Sequence, residues 1–206
     1  MLRRVIILFI ILLTSTLLSF GQKELQTTAG TFLIQNYSPK EYKGNPQIFG
    51  IRQDGRGLIY VANQSGVLEY DGVSWRMIEV GDEPKKVLFI EKDYDESILV
   101  SAEGEFGRLV ADSTGKLLFH SLLDEYGIDE IGRVTQFFLR DGGYVLKTKD
   151  FIYIVDSKKE TIKIPSENEF ERMFLVGKSL FVTQKNLGLF RVVGNKLIPV
   201  KEGYTF

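Results

Sequence analysis

Beyond residue 46 the chain alternates short apolar runs with turn-forming pairs, and the alternation recurs in sets of four. Four of the runs resemble one another: Leu58-Ile59-Tyr60-Val61-Ala62, Ile98-Leu99-Val100-Ser101-Ala102, Tyr144-Val145-Leu146-Lys147-Thr148 and Leu180-Phe181-Val182-Thr183-Gln184. Their first residues lie 40, 46 and 36 positions apart. Each is preceded by a run that ends in a turn (47–53, 87–91, 133–140, 172–176). Each is followed by a second β-rich run (67–70, 106–110, 151–155, 187–192) and closed by a fourth (75–80, 116–120, 161–164, 196–200). Runs of this length, bounded by Asp-Gly, Gly-Gly and Gly-Asn pairs, predict strands joined by hairpins, because those residues reach the positive φ angles of tight turns. Pro84 and Pro165 are expected between the units, where no ladder N–H is needed. A helical turn is predicted only at Leu122–Tyr126.

Four strands in a period of about 40 residues is the pattern of a propeller blade. A four-stranded sheet that is apolar on both faces cannot cover itself, and radial stacking covers each face with a neighbour. Phe151-Ile152-Tyr153-Ile154-Val155, apolar throughout, is what burial on both faces requires. The architecture expected is therefore an all-β propeller with about four four-stranded blades, at 47–82, 83–126, 127–165 and 166–206. A β-sandwich would not explain why the four-run pattern recurs in order. Because the fourth unit finishes at the last residue, the ring is expected to be incomplete and to belong to a longer protein. Open apolar faces are then expected on blades 1 and 4, with Leu180, Phe181, Val182 and Phe190 under-covered. Residues 22–206 alone should in that case aggregate or unfold without cooperativity.

The N-terminus carries an address. Arg3 and Arg4 precede an apolar stretch from Val5 to Leu18, and Ser19-Phe20-Gly21 supplies small residues where a signal peptidase reads. This predicts a signal peptide over 1–21, since the apolar stretch is short of the roughly 20 residues that span a bilayer. A lead-in segment with one strand, Thr31–Tyr37, is expected over 22–46. An exported, periplasmic or extracytoplasmic protein follows.

Composition narrows the chemistry more than it directs it. Hydrophobic residues make up 44% and charged residues 26% of the 206, with a net charge of −1, so neither disorder nor a general pull toward nucleic acid is implied. There is no cysteine and a single histidine, His120. Disulfides, cysteine-ligated zinc, a His-rich metal site and a cysteine nucleophile are excluded. No cofactor and no metal are expected.

The best-formed unit runs from Ile51-Arg52-Gln53-Asp54-Gly55-Arg56-Gly57 through Ile59-Tyr60-Val61-Ala62-Asn63 and Gly66-Val67-Leu68-Glu69-Tyr70-Asp71-Gly72 to Trp75. It resembles the two-component regulator propeller repeat, and Asn36-Tyr37-Ser38-Pro39-Lys40-Glu41-Tyr42 resembles the approach to the first blade in exported members. The resemblance covers 31–80 and weakens over 81–206, where Glu103 stands in place of a small polar residue and the Gln-Asp pair is missing. It implies the extracytoplasmic sensor propeller of a membrane-bound signalling receptor, with further blades, a membrane helix and a cytoplasmic output domain downstream. The alternative is a secreted carbohydrate-binding or scaffolding propeller without signalling.

Candidate sites are sparse. Asp54-Gly55-Arg56-Gly57 lacks the ligands of a calcium loop and the Lys-Ser/Thr of a phosphate loop, and reads as a hairpin turn. Trp75 and His120 fall on outer strands, where packing and exposure account for them. The pairs Glu103/Glu105 and Asp93/Asp95 sit in turns and read as solvated rather than catalytic, so the chain is not expected to be an enzyme. Propellers bind ligands where loops converge at the central channel. The residues expected to bind ligand are therefore the inner-strand ends Arg52, Asn63, Lys147 and Gln184, and the expected partner is an extracellular ligand, a glycan being one plausible class.

Overall fold

A computed structural model describes residues 34–203, and the predicted signal peptide and the first part of the predicted lead-in strand lie outside them. Among the described residues, sixteen strands form four separate antiparallel sheets, each a simple meander. Blade 1 comprises β1 (Ile48–Gln53), β2 (Ile59–Asn63), β3 (Gly66–Tyr70) and β4 (Trp75–Ile78). Blade 2 comprises β5 (Val87–Lys92), β6 (Ile98–Ala102), β7 (Glu105–Ala111) and β8 (Leu117–Ser121). Blade 3 comprises β9 (Gln136–Arg140), β10 (Gly143–Lys147), β11 (Phe151–Val155) and β12 (Thr161–Pro165). Blade 4 comprises β13 (Phe170–Val176), β14 (Ser179–Gln184), β15 (Gly188–Val193) and β16 (Lys196–Pro199). This is a β-propeller arrangement whose ring is not closed. Pro165 ends β12 rather than lying between units; β12 is an outer edge strand, where a missing N–H costs nothing.

Turn chemistry explains the hairpins. Asp54 accepts from the Arg56 and Leu58 N–H groups, Asp112 from those of Thr114 and Lys116, and Asp156 from those of Lys158 and Glu160. One carboxylate thus closes each turn by satisfying backbone donors that the ladder leaves free.

The core consists of the spaces between blades. Tyr60, Ala62, Val67 and Ile78 of blade 1 meet Ile90, Ile98, Val100 and Leu109 of blade 2. Leu99 and Phe106 of blade 2 meet Phe137, Tyr144, Leu146 and Tyr153 of blade 3. Val145 and Ile152 of blade 3 meet Phe170, Met173, Leu180, Val182 and Phe190 of blade 4. The middle strands are therefore buried on both faces, and every residue of β6 and β10 is buried, Ser101 and Lys147 included.

The two outer faces differ from expectation. Leu180, Val182 and Phe190 are buried against blade 3, so the open side of blade 4 belongs to the opposite register: Phe174, Val176, Phe181, Leu189 and Ile198. The corresponding side of blade 1 is capped. Residues 34–38 form no strand; instead Pro39–Tyr42 makes a short helix, α1, entered through a Ser38/Glu41 capping box. Tyr37 and Tyr42 then lie on Tyr70, Trp75 and Met77 over the buried Val61 and Leu68.

Candidate functional site

The four inner-strand residues do not converge. Arg52 of β1 makes a bidentate pair with Glu91 of β5, at 2.7 and 2.6 Å, and so staples blades 1 and 2 at their inner edge. Asn63, fully buried, donates to the Asn45 and Gln47 carbonyls and accepts from the Asn45 and Ser65 N–H groups. Gln184, also buried, accepts from the Glu167 and Asn168 N–H groups. Asn63 and Gln184 are thus matching clamps, each fixing the segment that leads into its own blade. Lys147 faces forward instead, and its ammonium donates to the Glu171 carbonyl of blade 4 at 3.0 Å. Burial, with the residue only 2% exposed, pulls its pKa down to about 8.

Polar links of this kind recur at this junction and at that between blades 2 and 3. Gln136 both donates to and accepts from the Met173 backbone. Ser101 donates to the Val134 carbonyl. The Tyr144 hydroxyl donates to Asp93 at 2.7 Å, with the Arg108 guanidinium 3.8 Å away. Burial, followed by the neighbouring carboxylate, pushes the Tyr144 hydroxyl far up. In blade 1, burial favours a protonated Asp54, but hydrogen bonds from Arg56, Leu58 and Tyr60 outweigh it and hold the carboxyl below its usual range. Trp75 stacks on Tyr70 at 4.6 Å and packs the blade 1 cap, while His120 is exposed on β8.

A cavity of about 830 Å³ lies on blade 3, beneath the connection from blade 2. That connection, between Ser121 and Gln136, is the longest of the three. The helical turn expected there is a 3-10 turn at Asp124–Tyr126. Leu122, Leu123, Tyr126, Ile128 and Ile131 are sunk into the blade 2–3 core, which fixes the loop. Thr161 donates to the Tyr126 carbonyl at 2.8 Å and Tyr153 to that of Glu130 at 3.4 Å. With its apolar anchors down, the loop leaves Asp129, Glu130 and Gly132 exposed on the cleft. Phe151, Tyr153 and Lys163 of blade 3 also line it, as do Thr148, Lys149 and Asp150. Sequence reasoning missed this site because its loop reads as a connection; the apolar–acidic–acidic–apolar order of Ile128-Asp129-Glu130-Ile131 was the available signal. Among the described residues, no group of three His, Cys, Asp or Glu side chains could hold a metal ion.

No protein-family model matches the chain, and no curated protein matches it by sequence. Solved structures do match. Streptogramin B lyase is 15% identical, with a TM-score of 0.54 over 73% of this chain and 53% of that one. The extracellular domain of a candidate hybrid two-component system from B. thetaiotaomicron is 15% identical, with a TM-score of 0.57 over 77% of this chain and 22% of that one. A second such domain from B. thetaiotaomicron is 14% identical, with a TM-score of 0.56 over 85% of this chain and 25% of that one. The shared feature is the propeller fold. The chain spans about half the length of the lyase and a quarter or less of the extracellular domains. The lyase corrects the expectation that the chain is not an enzyme. An enzyme carries this architecture, so the fold itself does not exclude catalysis. No helix among the described residues is long and apolar enough to cross a membrane.

Proposed function

We propose that the chain is part of the extracytoplasmic sensor propeller of a signal-transduction receptor, and that its ligand enters the blade 2–3 cleft. The observation that carries this reading is the fold held in common with extracellular domains of two-component systems. The signal-peptide pattern of residues 1–21 agrees with it. In this reading the open face of blade 4 receives a further blade, and a membrane helix and output domain follow in the complete receptor. A propeller suits the task because its stacked blades hold surface loops on a rigid frame.

Export is tested by fusing alkaline phosphatase after residue 206 in a Gram-negative host, since that enzyme is active only outside the cytoplasm. Activity that depends on residues 1–21 is expected; an inactive, cytoplasmic fusion would overturn the reading. An exported protein with no membrane segment in its complete reading frame would favour the secreted scaffolding or carbohydrate-binding alternative.

A further inference from the structure

We propose that the open face of blade 4 is the docking surface for a further four-stranded sheet, and that Thr183 fixes that sheet by donating to a backbone carbonyl where its first strand begins. The inference rests on the reading of the chain as part of a longer propeller, and names the contact that holds the next sheet.

Two junctions in the molecule show this contact made. Ser101 of β6 pairs with Phe106 of β7, and Lys147 of β10 pairs with Ile152 of β11. These are the same place in the two blades, on the face turned toward the next one. Ser101 donates to the Val134 carbonyl, just before β9, at 3.3 Å. Lys147 donates to the Glu171 carbonyl, at the start of β13, at 3.0 Å. Thr183 of β14 holds the same place in blade 4, opposite Leu189 of β15. Ser101 also reaches the Phe89 carbonyl of its own first strand at 3.5 Å, and Thr183 reaches the Arg172 carbonyl of its own first strand at 3.5 Å. An O–H···O bond is best near about 2.8 Å, so the Thr183 hydroxyl hydrogen is only weakly used. The bond across to a next sheet is the one that Thr183 lacks among the described residues.

The surface around Thr183 has the extent of a sheet rather than of a small ligand. Phe174, Phe181, Arg191 and Ile198 pair in one row that crosses all four strands of the blade. A cavity of about 800 Å³ is lined by Phe174, Val176, Phe181, Thr183 and Leu189 of the same face. Phe106 and Ile152, which stand where Leu189 does, are fully buried by the sheet that follows them, whereas Leu189 is half-buried. Gln184 also lines the cavity; it is 1% exposed, and its amide nitrogen has no acceptor among the described residues. An incoming sheet supplies both an apolar face and, where its first strand begins, carbonyls outside its own ladder. Blade 1 of a second copy is a poorer occupant, because Tyr37 and Tyr42 already lie on its outward face.

The test is maleimide labelling of the complete exported protein, read at each peptide by mass spectrometry; the 206 residues contain no cysteine to interfere. Val176→Cys reports on the face, and Val73→Cys, at a turn residue of blade 1 that is 90% exposed, is the control. Val176→Cys should react at least about tenfold more slowly than Val73→Cys. Adding Thr183→Val should speed labelling at 176 about two- to tenfold, the loss of one hydrogen bond, whereas Thr183→Ser should leave it unchanged. Val182→Cys, on the face packed against blade 3, should stay unreactive beside Thr183→Val, which shows that blade 4 itself remains folded. Equal rates at 176 and 73, a rate at 176 that rises on dilution as a second copy leaves, no effect of Thr183→Val, or labelling at 182 would overturn the proposal. The phosphatase fusion reads export alone. An open face on an exported protein defeats this proposal, and an inactive fusion defeats the sensor reading.

Discussion

Blade 1 and blade 4 each present an outward sheet face, and the two faces are treated differently. On blade 1, Val61 and Leu68 are 3% and 1% exposed because Tyr37 and Tyr42 of the lead-in segment lie over them. On blade 4, Phe174, Val176 and Ile198 are 42%, 63% and 48% exposed. The sheets are alike in strand number and order, so the difference comes from what stands beside them. A few residues around one helical turn cover much of a blade face when two of them are aromatic and a capping box fixes the angle of approach. The clamps differ as well. Three of the four hydrogen bonds around the Asn63 amide tie blade 1 to its own lead-in and the fourth closes the turn at Ser65, whereas the buried Gln184 nitrogen finds no acceptor.

The largest test of this contrast removes the cap. Tyr42→Ala should cost about 3 kcal/mol, as for other buried aromatic truncations, read by urea unfolding. A loss below about 1 kcal/mol would mean that the lead-in segment does not hold blade 1. Next come the clamps. Asn63→Ala strands backbone donors and acceptors at 45, 47 and 65 and should cost about 2–3 kcal/mol. Gln184→Ala should cost less, about 1–2 kcal/mol, because it strands only the donors of 167 and 168; equal losses would erase the distinction.

Lys147 sharpens the comparison at the junction that carries blade 4. Its folded pKa, about 8, lies below the ordinary lysine value of 10.5, so the unfolded chain binds more protons between those limits. Stability should therefore rise with pH across that window, and the burial penalty is fully present below it. Lys147→Met removes the penalty but also the bond to Glu171, and should stabilise the protein by about 1–2 kcal/mol at pH 7. The gain should shrink toward pH 10.5; a gain independent of pH would show that the ammonium is not the cause. The smallest effect is expected on the open face. Phe174→Ser should reduce self-association of residues 22–206 in sedimentation without changing their circular dichroism. Unchanged self-association would mean the face is already covered.

Much of this was legible along the chain. The sixteen strands follow from runs whose turn residues and apolar lengths allow little else, and Phe151–Val155 announced burial on both faces. The sites were less legible. Lys147 pairs with Ile152, one place inside β11, whereas Asn63 and Gln184 pair with the first residues of their next strands, Gly66 and Gly188, so Lys147 is not their register equivalent. One residue reverses the face of a strand, and the small bulges in β1, β5 and β13 shift the count without leaving a mark in composition. Of the four residues expected on the open face of blade 4, Phe181 lies there, whereas Leu180, Val182 and Phe190 alternate onto the face packed against blade 3.

By itself the sequence determined the local structure: strand lengths, hairpin turns, the four-strand period and the apolar faces that force blades to stack. These depend on neighbours a few residues apart, where side-chain type acts directly on φ, ψ and burial. Only the tertiary structure decided which face of each blade meets which neighbour, that Tyr37 and Tyr42 lie on Tyr70 and Trp75 to cap blade 1, and that Arg52 pairs with Glu91. Those relations join residues some 30 or more positions apart, and they are set by register and by the packing of whole sheets, for which no short stretch of chain carries a code.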